Sequence, residues 1–463
     1  MKINDLAVTE ALYQKYIAPT QKKRAKFIGV EFEMPIVNLK KEPVEEGLTQ
    51  AMALAFQKHF GFKLSLQDAD GNTYAMQEKE SGDILSFDCC YSNLELSLGK
   101  KRDIFEIQKT FNKYYAYLEK YLQRHQYTLT GMGINPHYRI NHNYPIPSER
   151  YRMLLHYLKS YKNYLSEGRK FHRRPDFGTF TSASQVQLDI NYDDLLDVIN
   201  VFGKLEPYKI LLFANSPIKD YPKLLCSRNM LWEESMHGYN KRNVGLFEKN
   251  LKSIDELLKY FKTLSIYCVE RDGKYFDFTP IPIKEYFQKE KVEGKYFKNG
   301  RHYSGEIVPR IEDVKYLRAF KLEDLTYRGT IEFRSACCQP IKDNQTLAAF
   351  HVGLIEKLPE LKELLARDRV LYGHKLDSTA LLYLCSCKTL PNFVEAKKLS
   401  AQLVKILELA KDGLVKRGLG EEIFLTPLFA RAEKLTNPAK EMICDMINGE
   451  KLETYIERYA GLS

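Results

Sequence analysis

Acids and amides recur two residues apart in four short segments of this chain, the spacing that places side chains on one face of a β-strand. The first segment, IGVEFEMP, puts Glu31 and Glu33 on one face and apolar residues on the other. Two neighbouring carboxylates repel each other, and burying them without a positive partner is strongly unfavourable. This face therefore either meets water, as in a half-exposed antiparallel sheet, or binds a divalent cation.

Three further segments follow the same pattern. YSNLELSLG places Glu95 on a polar strand face, and TSASQVQLDI places Gln185 and Gln187 on another. GTIEFRSACC aligns Glu332 with Arg334. Each strand alone fits a water-exposed face, but the four together predict one polar cavity floored by a sheet, with oxygen ligands that suit Mg²⁺ or Mn²⁺. The predicted metal ligands are Glu31, Glu33, Glu95, Gln185, Gln187 and Glu332.

The common nucleotide-binding and zinc-protease motifs do not occur in the sequence, which has no GxxxxGKS/T loop, no GxGxxG after a strand and no HExxH. A protein of this sequence that uses ATP would hold the phosphates with metal ions and arginines. In that case Arg334, which stands beside Glu332, would contact the phosphates of ATP. Arg334 and Glu33 are the residues to which we assign catalytic roles.

One irregular segment, FANSPIKDYPKLLCSRNMLWEESMHGYNKRNVGLF, is dense in polar and aromatic residues. It contains the only tryptophan, Trp232, flanked by Arg228 and Arg242. Arginines in irregular segments beside a cavity are suited to binding carboxylates with two parallel hydrogen bonds. We predict that these three residues bind substrate and that the two arginines converge on one cavity. The alternative is that they are surface or packing residues.

Composition describes a reduced, globular protein. The chain has 463 residues, 44% of them hydrophobic, and its length suggests about two to three domains. Its nine cysteines include no CxxC pair, so a structural zinc site is not expected. The formal net charge of +10 favours anionic partners, and nucleotides fit this charge as well as nucleic acid does.

No segment approaches the roughly 20 consecutive apolar residues that a membrane span needs. The first stretch, MKINDLAVTEALYQKYIAPTQKKRAKF, is interrupted by charges and does not read as a signal peptide. We therefore expect a cytoplasmic protein without a membrane partner.

The hydrophobic pattern mixes strands and helices. Strands are predicted at residues 26–38, 84–98, 127–134, 180–191, 314–322 and 328–336. Amphipathic helices are predicted at residues 101–125, 148–164, 193–214 and 251–264, and the pattern is helical from about residue 343 onward. This mixture predicts an α+β fold with a catalytic domain over residues 1–345 and a helical C-terminal subdomain over residues 346–463.

The motifs GVEFEMP, NLELSLG, PIPSERYRMLLHYL, TSASQVQLDI, FANSPI, SRNMLW, NKRNVGLF and GTIEFRSA, in this order, resemble the glutamate–cysteine ligase family in its plant and bacterial branch. The resemblance spans about residues 26–345 and implies a glutamine-synthetase-like fold. In that fold an antiparallel sheet curves into a funnel that holds metal ions between ATP and glutamate. Glu31, Glu33 and Glu95 match metal-site positions of the family, and Glu332 with Arg334 matches the element that meets phosphates and metal.

Two features depart from the family pattern. Gln187 stands where this branch usually carries the shorter Asn, and residues 270–315 match poorly. The second departure leaves the acceptor amine open, because related carboxylate–amine ligases share the funnel and differ in what they join.

The resemblance implies an ATP-dependent ligase that joins the γ-carboxylate of glutamate to the amino group of cysteine through an acyl phosphate, as in glutathione biosynthesis. A related ligase with another amino-acid or amine acceptor is the first alternative, and a metal-dependent hydrolase is the second. A basic nucleic-acid-binding protein, suggested by 31 tyrosines and the net charge, is the third. We expect small-molecule substrates, no nucleic acid, and a monomer or homodimer.

Overall fold

Strands and helices alternate through the first three quarters of the chain, and helices fill the last quarter, in a computed structural model that describes residues 3–298 and 300–462. The strands are β1 (Ile28–Asn38), β2 (Lys63–Gln67), β3 (Thr73–Gln77), β4 (Ile84–Phe87), β5 (Asn93–Lys101), β6 (Tyr127–Leu129), β7 (Ser184–Asp189), β8 (Val244–Gly245), β9 (Ser265–Arg271), β10 (Lys274–Pro282), β11 (Val292–Lys298), β12 (Arg301–Ile307), β13 (Phe320–Lys321), β14 (Glu323–Leu325) and β15 (Thr330–Phe333). The α-helices are α1 (Asp5–Leu12), α2 (Glu46–Phe60), α3 (Ile104–Gln123), α4 (Glu149–Lys159), α5 (Leu195–Phe213), α6 (Arg228–Glu233), α7 (Ile254–Phe261), α8 (Ile283–Tyr286), α9 (Thr346–Ile355), α10 (Leu358–Ala366), α11 (Ser378–Cys385), α12 (Ala396–Arg417), α13 (Thr426–Lys434), α14 (Pro438–Ile447) and α15 (Leu452–Ala460). The predicted α+β class and the helical C-terminal region are confirmed.

A large antiparallel sheet contains the four polar strands that the sequence analysis singled out. Its strand order is β14-β15-β7-β1-β5-β4-β3-β2, and β6 pairs with the C-terminal end of β1. Glu31 lies opposite Gln185 of β7 and Ser97 of β5. Glu332 of β15 lies opposite Gln187 of β7. This register brings the polar residues of separate strands onto one face.

The opposite face of the sheet is apolar and is covered by helices. The ring of Phe32 on β1 lies 4.8 Å from the ring of Phe111 on α3. Near the edge of the sheet, the ring of Phe333 on β15 lies 4.8 Å from Phe202 on α5. Such pairs add about 0.5–1.5 kcal/mol to the free energy gained by burying the rings. With α3 and α5 on the apolar side, the polar residues face away from these helices.

A second antiparallel sheet, of order β12-β11-β10-β9, was not predicted from the sequence. Helix α4 packs on it, and His156 Nδ1 on α4 lies 2.8 Å from Asp277 Oδ2 on β10. The same helix also contacts an acidic residue beside the polar face of the large sheet, as described below. Three of the four strands of this sheet, β10, β11 and β12, come from the segment over residues 270–315, which resembles the family poorly.

The strand predicted over residues 314–322 is wrong for most of its length. Ile311–Tyr316 is a 3₁₀-helix, and only Phe320–Lys321 is a strand. The Asp313 carboxylate accepts a hydrogen bond from the backbone N–H of Arg310 at 2.9 Å, which caps the start of the short helix. The buried apolar residues Val314 and Leu317 lie three residues apart, one turn of a 3₁₀-helix.

The C-terminal helices pack directly on the rest of the fold. At the crossing of α9 and α12 a Cβ on Gly353 would lie 2.1 Å from Ala410 O, so only glycine permits this close approach. At the other end, Tyr115 OH on α3 donates to Ala460 O at 2.6 Å, and Thr130 Oγ1 donates to Ile456 O at 3.0 Å. The division at residues 345 and 346 remains a prediction.

None of the helices in the described parts of the chain has the length and apolar character that crossing a bilayer requires.

Buried charged residues meet between α5 and β14. Lys209 Nζ and Ser335 Oγ each donate to Glu206 Oε1 at 2.9 Å. Glu323 is fully buried beside Glu206, and neither of its oxygens accepts a hydrogen bond from a described donor. Burial and the charge of Glu206 raise the pKa of Glu323 well above its ordinary value. A proton on Glu323 would satisfy the second oxygen of Glu206, so the pair is most stable when it holds one proton.

Replacing Glu323 by Gln should make the free energy of unfolding less dependent on pH. A carboxyl whose pKa is raised by folding stabilises the protein below its unfolded pKa, about 4.3, and this contribution is lost as the pH rises through the folded value. Between about pH 5 and about pH 8 the wild type should therefore lose up to about 1.4 kcal/mol per pH unit more than the Glu323→Gln variant. Urea unfolding at the two pH values measures the difference.

The matched control for this experiment is Glu293→Gln, at an exposed position of β11, which should follow the wild type at both pH values. If Glu323→Gln also follows the wild type, the shared proton is absent.

Candidate active site

Carboxylates from adjacent strands form a row on the polar face of the large sheet. Glu33 on β1 lies directly opposite Glu95 on β5, and Glu31 lies two residues before Glu33 on the same face. Glu332 on β15 extends the row beyond β7. We refer to Glu31, Glu33, Glu95 and Glu332 as the acid row. The structure therefore brings together all four acids that the sequence analysis named.

Two glutamines of β7 separate the acids. Gln185 Nε2 donates to Glu33 Oε1 at 3.1 Å. Gln187 Nε2 donates to Glu31 Oε1 at 2.8 Å and to Glu332 Oε1 at 2.6 Å. An amide N–H₂ group between two carboxylates supplies the positive end of a dipole and relieves their repulsion.

The contacts of Gln187 and Gln185 differ. The nitrogen of Gln187 faces the acids and its oxygen accepts a hydrogen bond from Arg328 Nη2 at 2.5 Å, so Gln187 separates the carboxylates here, and its assignment as a metal ligand remains a prediction. Gln185 differs, because its Oε1 is buried and accepts no hydrogen bond from any described donor. The assignment of Gln185 as a ligand remains a prediction.

The sequence analysis missed one acid of the site, Asp88. Carboxylate oxygens of Glu33, Asp88 and Glu95 all lie within 4.8 Å of one another. Asp88 follows β4, and its backbone N–H donates to Asn93 O at 3.0 Å, which holds it beside the start of β5. The signal in the sequence was the continued alternation of Ser86 and Asp88 at the end of the strand.

Helix α4 contacts Asp88 from the other side. Tyr151 OH donates to Asp88 Oδ1 at 3.3 Å, and the charge of Arg150 opposes the rise in the Asp88 pKa that burial causes. Neither residue was assigned a role, although both lie in PIPSERYRMLLHYL, one of the motifs that carry the family resemblance. The amphipathic pattern of α4 showed only that it packs on one side.

The carboxylates at this site are electrostatically unfavourable as free anions. Burial, followed by the charge of Asp88, raises the pKa of both Glu33 and Glu95 to about 8. Burial and the charge of Glu332 raise the pKa of Glu31 well above its ordinary value, and Arg334 and Arg328 oppose this rise.

A hard divalent cation fits this donor set. Three clustered carboxylates and the unpartnered oxygen of Gln185 are oxygen donors, the type that Mg²⁺ and Mn²⁺ prefer. A bound cation would also remove the repulsion between Glu33, Asp88 and Glu95.

Arg334 lies at the β15 end of the acid row and forms an ion pair with Glu332. The Glu332 side chain is buried, whereas about a quarter of the Arg334 side chain is exposed, 27%. The guanidinium is therefore held by an acid on one side and is accessible on the other. The phosphate contact of Arg334 remains a prediction.

A small cavity adjoins Arg334. Its lining combines positive, negative and aromatic side chains. It is lined by Arg228, Asn229, Trp232, Glu233, Gly245, Phe320, Lys321, Leu322 and Arg334. Helix α6 contributes four of these, Arg228, Asn229, Trp232 and Glu233, and we refer to the space as the α6 cavity.

Arg228 lines this cavity and also contacts the backbone that follows β15, and its predicted role in binding substrate remains a prediction. Its guanidinium donates to the carbonyl oxygens of Ser335 and Ala336 at 3.1 Å and to that of Arg334 at 3.2 Å. Arg228 therefore lies at the cavity, as predicted, but most of its donors hold the backbone that follows β15.

The prediction that Arg242 converges with Arg228 is wrong in this structure. The Arg242 guanidinium pairs with Glu248, with Nε 3.0 Å from Glu248 Oε1, and 42% of its side chain is exposed. It lies at a separate surface depression with Tyr239 and Lys262. A 3₁₀-turn over Lys241–Asn243 directs this segment outward, which sequence spacing could not show.

The fold and the acid row define a protein with an acid-lined antiparallel sheet next to a charged cavity. The profile of glutamate-cysteine ligase family 2 matches residues 27–378, and the chain belongs to this family. The resemblance inferred from the motifs is thereby confirmed.

Curated relatives are plant enzymes. The chain is 23% identical to the chloroplastic glutamate–cysteine ligase of Brassica juncea over 337 residues, 69% of this chain and 58% of the relative. It is 24% identical to that of Medicago truncatula over 327 residues, 68% of this chain and 58% of the relative. The chain thus spans less than two thirds of the length of these relatives.

Among solved structures, glutamate–cysteine ligase from Francisella tularensis in complex with AMP superimposes with a TM-score of 0.44 and 11% identity, covering 95% of this chain and 88% of that one. A bifunctional glutathione synthetase from Pasteurella multocida gives the same TM-score at 12% identity, covering 99% of this chain and 53% of that one. The backbones agree only loosely.

Replacing Asp88 by Asn should weaken the binding of Mn²⁺ at least about tenfold, because one of three clustered carboxylates is lost. The metal-free variant should unfold at a higher temperature than the metal-free wild type, since repulsion among the acids falls. Calorimetric titration of the metal-free proteins with Mn²⁺ measures the affinity.

Asp70→Asn, at an exposed position, is the matched control and should bind Mn²⁺ as the wild type does. Equal affinities of Asp88→Asn and the wild type would show that these three acids do not share a cation.

Proposed function

We propose that the chain is an ATP-dependent ligase that joins the γ-carboxylate of glutamate to the amino group of cysteine. Membership of the glutamate–cysteine ligase family supports this function. The observation that carries it is the acid row with Asp88, because five buried or partly buried carboxylates beside one arginine suit a site that gathers cations around a triphosphate. ATP and Mg²⁺ or Mn²⁺ are therefore part of the proposal.

Glu33, Asp88 and Glu95 would hold one cation, and Glu31 and Glu332 lie on the same face for a further one. When bound, Mg²⁺ or Mn²⁺ supplies positive charge that offsets the crowding of phosphate and carboxylate oxygens. Gln187 keeps Glu31 and Glu332 apart at a fixed spacing, since one amide nitrogen reaches both.

The proposed reaction has two displacements. A γ-carboxylate oxygen of glutamate attacks the γ-phosphorus of ATP, and ADP leaves, which gives an acyl phosphate. The neutral amino group of the acceptor then attacks the acyl carbon, phosphate leaves with the bonding electrons, and the amide loses a proton to solvent or phosphate. Both steps depend on positioning and on charge stabilisation, and neither needs a protein nucleophile.

Arg334 is placed to bind the phosphoryl group during transfer. Its ion pair with Glu332 fixes one side of the guanidinium and leaves the other accessible. Arg228 fixes the backbone carbonyls of residues 334–336 and so holds Arg334 in position. A lysine at position 334 would keep the charge but lose the planar fork that matches phosphate oxygens.

The α6 cavity has the polarity of an amino-acid site. Asn229 is buried and its Nδ2 has no hydrogen-bond partner among the described residues, so it can donate to a carboxylate. Glu233 lines the same cavity and can accept from an ammonium group, and Trp232 and Phe320 form an aromatic wall. We assign this cavity to the α-amino and α-carboxylate groups of an amino-acid substrate.

A related ligase with another acceptor amine is the second candidate. The lining of the α6 cavity recognises opposite charges and an apolar surface, and none of the lining side chains is selective for a thiol. Nucleic-acid binding is disfavoured at this site, because Phe32, Phe87 and Phe333 are buried in the core and cannot stack on bases.

Incubation with Mg²⁺, ATP and glutamate should release phosphate only when cysteine or another accepted amine is added, and mass spectrometry should find the γ-glutamyl product. If no pair of amino acids stimulates ATP cleavage, the ligase function is wrong. Turnover of a phosphate ester without ATP would favour a hydrolase instead.

Arg334→Lys should lower kcat at least about tenfold, because the lost hydrogen bonds form to a group whose charge changes in the transition state.

Glu233→Gln should raise the KM for one amino-acid substrate about tenfold and leave the KM for ATP unchanged, since a charged hydrogen bond to the substrate ammonium is lost. Steady-state kinetics with each substrate varied in turn measures the effect.

Arg242→Ala is the matched control, because this charged side chain of the same segment lies outside the α6 cavity, and its KM values should equal those of the wild type. An unchanged amino-acid KM in Glu233→Gln would contradict the assignment of the α6 cavity.

A further inference from the structure

The turn that joins β14 and β15 has a rigid backbone. The N–H of Gly329 donates to Thr326 O at 3.0 Å and closes the turn. Gly329 has a φ of +75°, and a Cβ there would lie 2.7 Å from the Pro19 carbonyl carbon, so only glycine fits. Arg24 Nη2 donates to Arg328 O at 2.8 Å from the other side. The backbone of Arg328 is therefore held in place although the residue is exposed.

Arg328 extends from this turn to the edge of the acid row. Its Nη2 donates to Gln187 Oε1 at 2.5 Å, and its guanidinium carbon lies 5.1 Å from the ring centroid of Tyr327. Arg328 Nη1 also lies 3.4 Å from Tyr327 OH, and none of the ion pairs among residues 3–298 and 300–462 involves Arg328. A guanidinium has five N–H donors, so most of them remain available to an incoming anion.

Gln187 links Arg328 to the end of the site that we assign to phosphate. The same amide that accepts from Arg328 donates to Glu31 and Glu332, and Glu332 pairs with Arg334. Arg334 is mostly buried, whereas Arg328 is exposed. The two arginines therefore stand at the inner and outer ends of one short chain of hydrogen bonds.

We propose that Arg328 is a second arginine that binds the triphosphate of ATP and that it exchanges Gln187 for phosphate oxygens when the nucleotide enters. The inference rests on the proposed function. Phosphate oxygens are charged acceptors and match the guanidinium fork, so they compete well with the neutral amide oxygen of Gln187. Because the turn already holds the backbone of Arg328 in place, binding of the nucleotide would not have to order that backbone.

Calorimetric titration with a non-hydrolysable ATP analogue and Mg²⁺ tests this contact, with AMP as the probe that lacks the outer phosphates. Arg328→Ala should weaken binding of the analogue about tenfold and leave AMP binding unchanged, because only the outer phosphates lose a charged hydrogen bond. Arg328→Lys should show a smaller loss, about threefold, since it keeps the charge without the fork. Arg124→Ala, an exposed arginine after α3, is the matched control and should bind both probes as the wild type does.

Three results would overturn the proposal. Analogue affinity unchanged in Arg328→Ala would exclude the contact. An equal loss for the analogue and for AMP would place Arg328 at the nucleoside or in the fold. Weaker Mn²⁺ binding with unchanged analogue affinity would show that Arg328 acts only through Gln187 and the acid row. A wild-type protein that binds no analogue would contradict the proposed function itself, which distinguishes the two failures.

Discussion

Repulsion among carboxylates on one face of an antiparallel sheet is the constraint on which the rest of this structure depends. Glu33, Asp88 and Glu95 place oxygens within 4.8 Å of one another in a buried setting, where burial, followed by the charge of Asp88, raises the pKa of Glu33 and of Glu95. Such a cluster persists only when neighbouring groups offset its charge. The amides of β7, the arginines at the β15 end and Arg150 on α4 surround the acids and supply this compensation.

The apolar face of the sheet holds the acids in register. A slip of one residue in the pairing of β1 would move Phe32 to the polar side and the acids toward the helices, which is why the contacts with α3 and α5 specify the alignment. At the end of the row, Arg228 from α6 and Glu206 from α5 fix the segment after β15 by bonding to its backbone and to Ser335. The precise position of Arg334 thus depends on helices that contribute no acid to the site.

Much of the site was readable from local spacing. The period-two alternation of Glu31 with Glu33, and the isolated polar positions of β5, β7 and β15, predicted a common polar face, and the structure places them on one. Motif order identified the family, which the family profile confirms. Strands and helices with strong periodicity were also predicted well, since burial of one face imposes that periodicity on the sequence. The 3₁₀-helix at Ile311–Tyr316 and the second sheet were not, because a helix cap leaves no periodic signal and β9 buries five consecutive residues without alternation.

The sequence by itself determined which strand faces are polar, which residues could bind a cation or phosphate, and that the last quarter is helical. Only the tertiary structure decided which of these groups meet. Asp88 joined the site through its pairing beside β5, Arg242 was directed to another surface by a short turn, and the oxygen of Gln187 was occupied by Arg328. The physical reason is that alternation along a strand is a local property of the backbone, whereas distances between side chains of different elements depend on register and packing, which single segments do not encode.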